Sequence, residues 1–207
     1  MLFFIVKGGV IMIPIILASI AGAAIIIERW IVLHRADSSM DMEGFSNACL
    51  DLVKKNKFQD ALDLCRQNQG HPLAAMYAEA IENRQSTRAE LDKVLERMGN
   101  HFVKILERRL GGLVSIVGIE PLLGFLGTIV GLIRAFMAWE KAGSDITVSV
   151  LAGGIYQAMI TTAAGLIVAI PYYLFYNYFI SRIKYFSHEL EDYSSRLLEL
   201  LTRGKVL

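Results

Sequence analysis

Three long apolar segments constrain this chain more than any other feature, because each is long enough to cross a membrane as a helix. The first, Gly8–Ile27, carries no charge; the second, Leu110–Ile133, contains one, Glu120; the third, Ile146–Ile180, again has none. A helix of about 20 residues spans a hydrocarbon core of about 30 Å. The third segment is longer than that and should tilt or project beyond the membrane. The sequence therefore predicts an all-α integral membrane protein with three transmembrane helices, the first of them a retained anchor.

Basic residues lie at one end of each apolar segment, which predicts the topology by the positive-inside rule. They are Arg29, His34 and Arg35 after the first segment, Arg108 and Arg109 before the second, and Arg182 and Lys184 after the third. The opposite ends carry Lys7 and the few charges around the short loop 140–149. The predicted divisions are a periplasmic N-terminus with the first transmembrane helix (1–35), a cytoplasmic helical domain (36–109), the second transmembrane helix (110–139), a periplasmic loop (140–149), the third transmembrane helix (150–180) and a cytoplasmic C-terminal helix (181–207).

The predicted cytoplasmic parts read as long helical extensions. Apolar residues recur at three- and four-residue spacing in stretches such as LDLVKKNKFQDALDLC, as in an amphipathic helix. Pro72 predicts a break at Gly70-His71, since the residue before proline avoids the helical conformation. Thr87 with Glu90 forms a capping-box pattern, which predicts a new helix start. With no strong stop after it, that helix is expected to run unbroken into the second membrane segment, over about 50 residues and about 75 Å.

The C-terminal tail carries one apolar stripe that is expected to cover the amphipathic half of this long helix. The stripe consists of Leu190, Tyr193, Leu197 and Leu201.

Composition argues against several functional classes. The net charge is +1 with no long basic block, so nucleic acid is not an expected partner. The four histidines lie in separate segments and are expected to be solvated. Cys49 and Cys65 lack zinc-ligand spacing and are expected to be reduced, helix-packing residues. No phosphate loop or nucleophile elbow is present, so we expect no metal, no cofactor and no enzyme activity.

The second and third membrane segments each carry a face of small residues, which lets helices approach closely in lipid. These residues are Gly124, Thr128, Gly131 and Ala135 in the second, and Gly154, Ala158, Thr162, Gly165 and Ala169 in the third. Simple packing of a helical hairpin explains the glycines but does not require the hydroxyls. By residue count Thr128, Thr161 and Thr162 lie at one level, about 17 Å from the outer end, and predict a polar belt. The alternative is that each hydroxyl bonds to its own helix backbone.

These segments resemble the MotA/TolQ/ExbB proton-channel family. The pattern P-x-x-G-x-x-G-T-x-x-G begins at Pro121 and includes Gly127, and G-I-x-x-A-x-x-T-T-A-x-G-L-x-V-A-I-P ends at Pro171. The resemblance implies a homopentamer in the bacterial inner membrane, surrounding the transmembrane helices of a dimeric ExbD- or TolR-like partner. It further implies that ion flow drives relative motion of the two, that a TonB- or TolA-like protein receives the work, and that Thr128 and Thr162 are pore threonines.

One position departs from the family pattern. Close relatives of the ExbB and TolQ type usually carry a glutamate in the third helix where this chain has Gln157, and glutamine cannot carry a proton. Glu120 is the only acid within the three segments, so the principal ion carrier is expected on the partner. We expect Glu120 to line the inner vestibule and attract cations; the alternative is an ion pair or a backbone cap beside Pro121.

The leading hypothesis is therefore a channel or stator subunit of an inner-membrane ion-driven motor that serves outer-membrane transport or envelope maintenance. The alternatives are a gliding-type motility stator, or a structural membrane scaffold that holds an ExbD/TolR-like partner without conducting ions. Gln157 favours the scaffold.

Overall fold

The computed structural model describes residues 8–38, 40–142 and 148–202, and all regular structure in these ranges is helical. The helices are α1 (Met12–Ser38), α2 (Met42–Lys54), α3 (Phe58–Gln67), α4 (Pro72–Glu82), α5 (Arg88–Glu107), α6 (Leu110–Ala142) and α7 (Val148–Thr202). The predicted all-α class is thereby confirmed. Lys7, residues 143–147 of the predicted periplasmic loop and the last residues of the predicted tail lie outside the described residues.

Three of these helices are long and apolar enough to cross a membrane: residues Met12–Ala36, Leu110–Lys141 and Ala152–Thr202. Within their most apolar windows only 22%, 22% and 28% of residues are buried. A water-soluble fold rarely exposes so much contiguous apolar surface, which agrees with three membrane helices. The third is a single helix of 55 residues, about 80 Å long, and it includes the predicted C-terminal helix.

The prediction of one unbroken helix from Thr87 into the membrane is wrong. Helix α5 ends at Glu107, and Arg109 adopts a left-handed conformation with φ of 69° before α6 begins. The Arg29 guanidinium donates hydrogen bonds to the carbonyl oxygens of Ile105 and Leu106, at 3.3 and 3.2 Å. These are the acceptors that a continuing helix would use for its next amides. A cation at this helix end is favourable, so Arg29 stabilises the break.

An ion pair stabilises Arg109 in its left-handed conformation. A left-handed conformation costs a non-glycine residue roughly 1–2 kcal/mol, and here the Arg109 side chain forms an ion pair with Glu28. The paired glycines Gly111-Gly112 do not form the break, because they lie inside α6.

The described residues form two compact units. One comprises residues up to Glu28 together with 109–178, and the other comprises 29–108 together with 179–207. The first contains most of the three membrane helices. The second contains α2–α5 and the C-terminal part of α7.

Helix α4 is central to the second unit, because most of its side chains are buried. The Tyr77 hydroxyl lies 2.7 Å from Ser46 Oγ and donates to the carbonyl oxygen of Tyr193 at 2.8 Å. Ser194 Oγ lies 3.9 Å from Met76 Sδ. The tail therefore packs on α4, and it also lines a groove in common with α5. On its predicted stripe Leu190 and Leu197 are buried.

The expectation that every histidine is solvated is wrong for His71, which is only 3% exposed. Its Nδ1 accepts a hydrogen bond from the Leu73 amide at 3.2 Å and caps the first turn of α4. Burial lowers the pKa of His71. The sequence places the break before Pro72 correctly but does not reveal that the histidine itself is the cap.

Two other local predictions are confirmed. Thr87 and Glu90 form a capping box at the start of α5. Cys49 and Cys65 are free thiols buried between helices of the second unit. The hydrogen bond with Cys49, together with burial, raises the pKa of the Cys65 thiol.

Candidate ion-path site in the membrane helices

Helices α6 and α7 pack backbone to backbone through glycines near the loop that joins them. A methyl group on Gly131 would lie 2.9 Å from both the Ala158 Cβ and the Gly154 carbonyl oxygen. A methyl group on Gly154 would lie 2.6 Å from the Ala135 Cβ and 3.0 Å from the Gly131 carbonyl oxygen. Contacts this short leave no room for a side chain, so both positions require glycine at this helix separation.

The same close approach continues one to three turns further from the loop. A methyl group on Gly124 would lie 3.0 Å from the Thr162 Cα, and one on Gly165 would lie 3.3 Å from the Gly124 Cα. Gly127 faces the Thr161 side chain, whose Cγ2 would be 3.0 Å from an added methyl group. The structure thus brings together the glycines that the sequence singles out.

The three threonines of the predicted polar belt do not form hydrogen bonds with one another. Thr128 Oγ1 donates to the carbonyl oxygen of Phe125 in its own helix, at 2.6 Å. Thr161 is fully buried and donates to the Ala158 carbonyl oxygen at 2.8 Å. Thr162 Oγ1 donates across the hairpin to the Gly124 carbonyl oxygen, at 3.0 Å. Each donor proton is therefore used on a backbone carbonyl, and the remaining oxygen lone pairs are what a passing ion or water would meet.

Thr128 and Thr162 differ from Thr161 in accessibility. Both are half-buried in the isolated chain, so each still presents part of its surface outside the hairpin. Thr161 instead fills the contact with Gly127. Of the three, Thr128 and Thr162 are the ones whose side chains remain partly accessible on the surface of the hairpin.

Gln157 lies beside the N-terminal end of the first unit. Its Nε2 lies 3.4 Å from the Gly8 carbonyl oxygen and donates to it. Gly9 has φ of 72°, a conformation that favours glycine, and the turn that it makes closes against Gln157. The side chain is half-buried. It is therefore engaged with its own chain.

Glu120 is fully buried in the isolated chain, and neither carboxyl oxygen has a hydrogen-bond partner among the described residues. The vestibule interpretation expects an accessible carboxylate, which this environment does not provide. The alternative of an ion pair or cap beside Pro121 is not seen among the described residues either. The role of Glu120 in an ion path stays a prediction.

Pro121 and Pro171 both lie inside continuous helices. Each proline removes one backbone donor and leaves the carbonyl four residues earlier without its usual partner. Transmembrane helices tolerate such positions where neighbouring groups or water satisfy the freed carbonyl.

Sequence reasoning missed the contact between α7 and α1. The Tyr172 hydroxyl of α7 donates to the Ser19 carbonyl oxygen of α1 at 2.6 Å. A methyl group on Gly22 would lie 2.7 Å from the Tyr172 Cδ2 and 3.4 Å from the Ile116 Cγ2. The signal in the sequence is the small-residue run around Gly22 in the first apolar segment, which permits this approach.

Comparison with known proteins finds a family match that includes both helices of the α6–α7 hairpin. Residues 68–192 match the model of the MotA/TolQ/ExbB proton channel family, a range that contains all of α4, α5 and α6 and most of α7. This chain belongs to that family. The membership covers both glycine-lined helices and the threonines between them.

Individual relatives extend the similarity over most of the chain. A protein named ExbB-like 3 from Synechocystis is 31% identical over 175 residues, which are 84% of this chain and 82% of the relative. The biopolymer transport protein ExbB of Salmonella typhimurium is 29% identical over 160 residues, 77% of this chain and 60% of the relative. The Tol-Pal system protein TolQ of Haemophilus influenzae is 32% identical over 104 residues, 50% of this chain and 45% of the relative. The chain therefore spans less than two thirds of the length of the last two.

Family membership and the three apolar helices together identify a membrane protein of an energy-transduction and transport family.

Proposed function

We propose that this chain is the channel subunit of an inner-membrane motor that converts an ion gradient into mechanical work for outer-membrane transport or envelope maintenance. The observation that carries the proposal is the family match across the α6–α7 hairpin, where threonine hydroxyls lie between close-packed glycines. A TonB- or TolA-like protein is the proposed recipient of the work.

The exposed surface of the membrane helices supports assembly into a ring. Large apolar side chains along α6, including Leu122, Phe125 and Phe136, are 58–67% exposed in the isolated chain. Those that face lipid need no further partner, whereas a pentamer covers those on its subunit contacts and its central face. We propose a homopentamer whose centre holds the single transmembrane helices of an ExbD/TolR-like dimer.

The ion carrier is proposed to lie on that partner. Threonine does not titrate at physiological pH, and the Gln157 side chain carries no charge. Glu120 is the only acid in the three membrane segments, and its carboxyl is shielded inside this chain. A proton path past Thr128 and Thr162 therefore needs an acidic group from elsewhere.

The proposed orientation follows the distribution of basic residues. Arg29, Arg109 and Arg182 lie at one end of their apolar segments, the end that the positive-inside rule assigns to the cytoplasm. The N-terminus is then periplasmic, and the unit containing α2–α5 and the C-terminal tail is cytoplasmic.

A non-conducting scaffold is the second candidate, and two observations favour it. The threonine hydroxyls all donate to backbone carbonyls, and Gln157 donates to Gly8. These bonds stabilise the fold without any ion path. A gliding-type stator is a variant of the motor proposal that these contacts do not distinguish.

Thr128→Val separates the motor from the scaffold. The Thr128 hydroxyl bonds only within its own helix, so its removal should leave packing almost unchanged. We expect proton uptake by vesicles holding the complex with its single-span partner to fall at least about tenfold, which corresponds to roughly 1.4 kcal/mol in the barrier.

Ser115→Ala is the matched control. Ser115 Oγ also donates to a carbonyl in its own helix, that of Gly111, at 2.9 Å, but it lies more than three turns from Thr128 along α6. Proton uptake by vesicles that contain the Ser115→Ala chain should equal uptake by vesicles that contain the unchanged chain. Full uptake in Thr128→Val, with the complex intact, would support the scaffold.

A further inference from the structure

Glu120 has an environment in which a carboxyl group is stable only when it is neutral. Both oxygens are shielded from solvent and have no hydrogen-bond partner among the described residues. Transferring an unpaired carboxylate into an apolar interior carries a large penalty, comparable with the net stability of a folded protein. A protonated carboxyl avoids that cost.

The side chain faces the first helix within the membrane unit. Ile116 precedes Glu120 by one helical turn and lies on the same face, and it is 3.4 Å from a methyl group placed on Gly22 of α1. Helix α7 closes the other side, since the Glu120 backbone packs on Gly165. The carboxyl therefore lies between three helices of one chain and not on the surface that would face a central partner.

The neighbouring groups do not neutralise a negative charge. Tyr172 is the titratable side chain that interacts with Glu120, and its hydroxyl proton is donated to the Ser19 carbonyl oxygen at 2.6 Å. Helix α1 has no charged residue from Met12 to Ile27, α6 has none other than Glu120 from Leu110 to Ile133, and α7 has none from Val148 to Ile180.

The same surroundings favour a proton over a metal cation at Glu120. A metal cation would need several oxygen ligands around it, and among the described residues no hydroxyl or amide group bonds to this carboxyl. A proton needs only the carboxyl oxygen itself.

We propose that Glu120 is a proton-binding site inside each subunit, filled while α1, α6 and α7 are packed as described and emptied only when their packing opens to water. This rests on the proposed function for its role in the motor, but the site itself does not depend on ion flux. It adds a proton site on this chain to the carrier proposed on the partner.

Carbodiimide labelling tests the site directly, because dicyclohexylcarbodiimide is apolar and reacts with protonated carboxyl groups. At pH 7 an exposed glutamate with an ordinary pKa of about 4.3 is protonated in roughly one molecule in 500. A neutral Glu120 should therefore be labelled on the order of 100-fold faster than an exposed glutamate such as Glu107. The full-length chain in lipid vesicles is treated at pH 7, and adducts are located by mass spectrometry.

Three outcomes decide the matter. Preferential labelling of Glu120, unaffected by sodium ions, supports the proposal. Labelling no faster than at Glu107 overturns it, provided that the reagent reaches the helices, which an acid introduced at an exposed position of α6, Leu122→Glu, reports. Protection of Glu120 by sodium ions also overturns it and assigns the site to a metal cation.

Glu120→Gln gives an independent readout in the same vesicles. The change keeps shape and removes the titrating proton, so the infrared band of a protonated carboxyl in the wild-type chain should disappear. If that band persists in Glu120→Gln, or is absent from the unchanged chain, the proposal fails. Labelling with no ion flux in the complex would defeat the motor and leave this site intact.

Discussion

Gly131→Ala tests the close approach of α6 and α7 on which the candidate site depends. The added methyl group would lie 2.9 Å from the Ala158 Cβ and 2.9 Å from the Gly154 carbonyl oxygen. Carbon atoms normally meet at about 3.5–4.0 Å, so the helices must separate by roughly 0.6–1 Å. Overpacking of this kind costs roughly 1–3 kcal/mol.

Gly118→Ala is the matched control, since a methyl group there would meet nothing within 4 Å. Both substitutions gain the same helix propensity, about 1 kcal/mol, so the difference between the two variants isolates the steric term. Unfolding of the full chain in mixed micelles with increasing dodecyl sulfate should give a free energy of unfolding lower for Gly131→Ala than for Gly118→Ala by roughly 1–3 kcal/mol. Equal stability, or greater stability of Gly131→Ala, would refute the packing.

Three further predictions follow from single contacts. Thr162→Val should lower the free energy of unfolding by about 0.6 kcal/mol, the average for an interhelical hydrogen bond in a membrane, whereas Thr128→Val should not; the reverse order would contradict the assigned bonds. Because burial lowers the pKa of His71, its neutral form is favoured by folding, so protection of α4 amides from hydrogen exchange should be fully present above about pH 6.5 and decline as the pH falls below it. His71→Asn keeps a capping side chain and should abolish that decline; an unchanged slope would implicate another group. Cys49 and Cys65 should react with a maleimide at pH 7 only after unfolding, and rapid labelling of the native chain would contradict their burial.

The membrane part of the fold follows from the sequence because run length and charge are local properties. The capping box at Thr87 and the break before Pro72 are likewise encoded within a few residues, and both are predictable. The end of α5 is not, because it depends on Arg29, which binds carbonyl groups 76 and 77 residues away along the chain. No glycine or proline marks that position.

The candidate site, like the fold, is predictable from the sequence only in part. Small-residue spacing predicts which glycines line the hairpin, since a helix presents every third or fourth residue on one face. It does not predict that the Thr162 hydroxyl crosses to Gly124 or that Gln157 meets Gly8, because both contacts join residues far apart in sequence. The burial of Glu120 also depends on all three membrane helices at once, which no local pattern records.

Proton flux measured in three vesicle preparations tests the central proposal most directly. They contain the chain alone, the chain with its single-span partner, and the same complex with the partner's intramembrane acid replaced by its amide. A ring subunit around a partner-borne carrier predicts uptake only in the second preparation. Equal uptake in all three, or none in the second when the complex is intact, would contradict it.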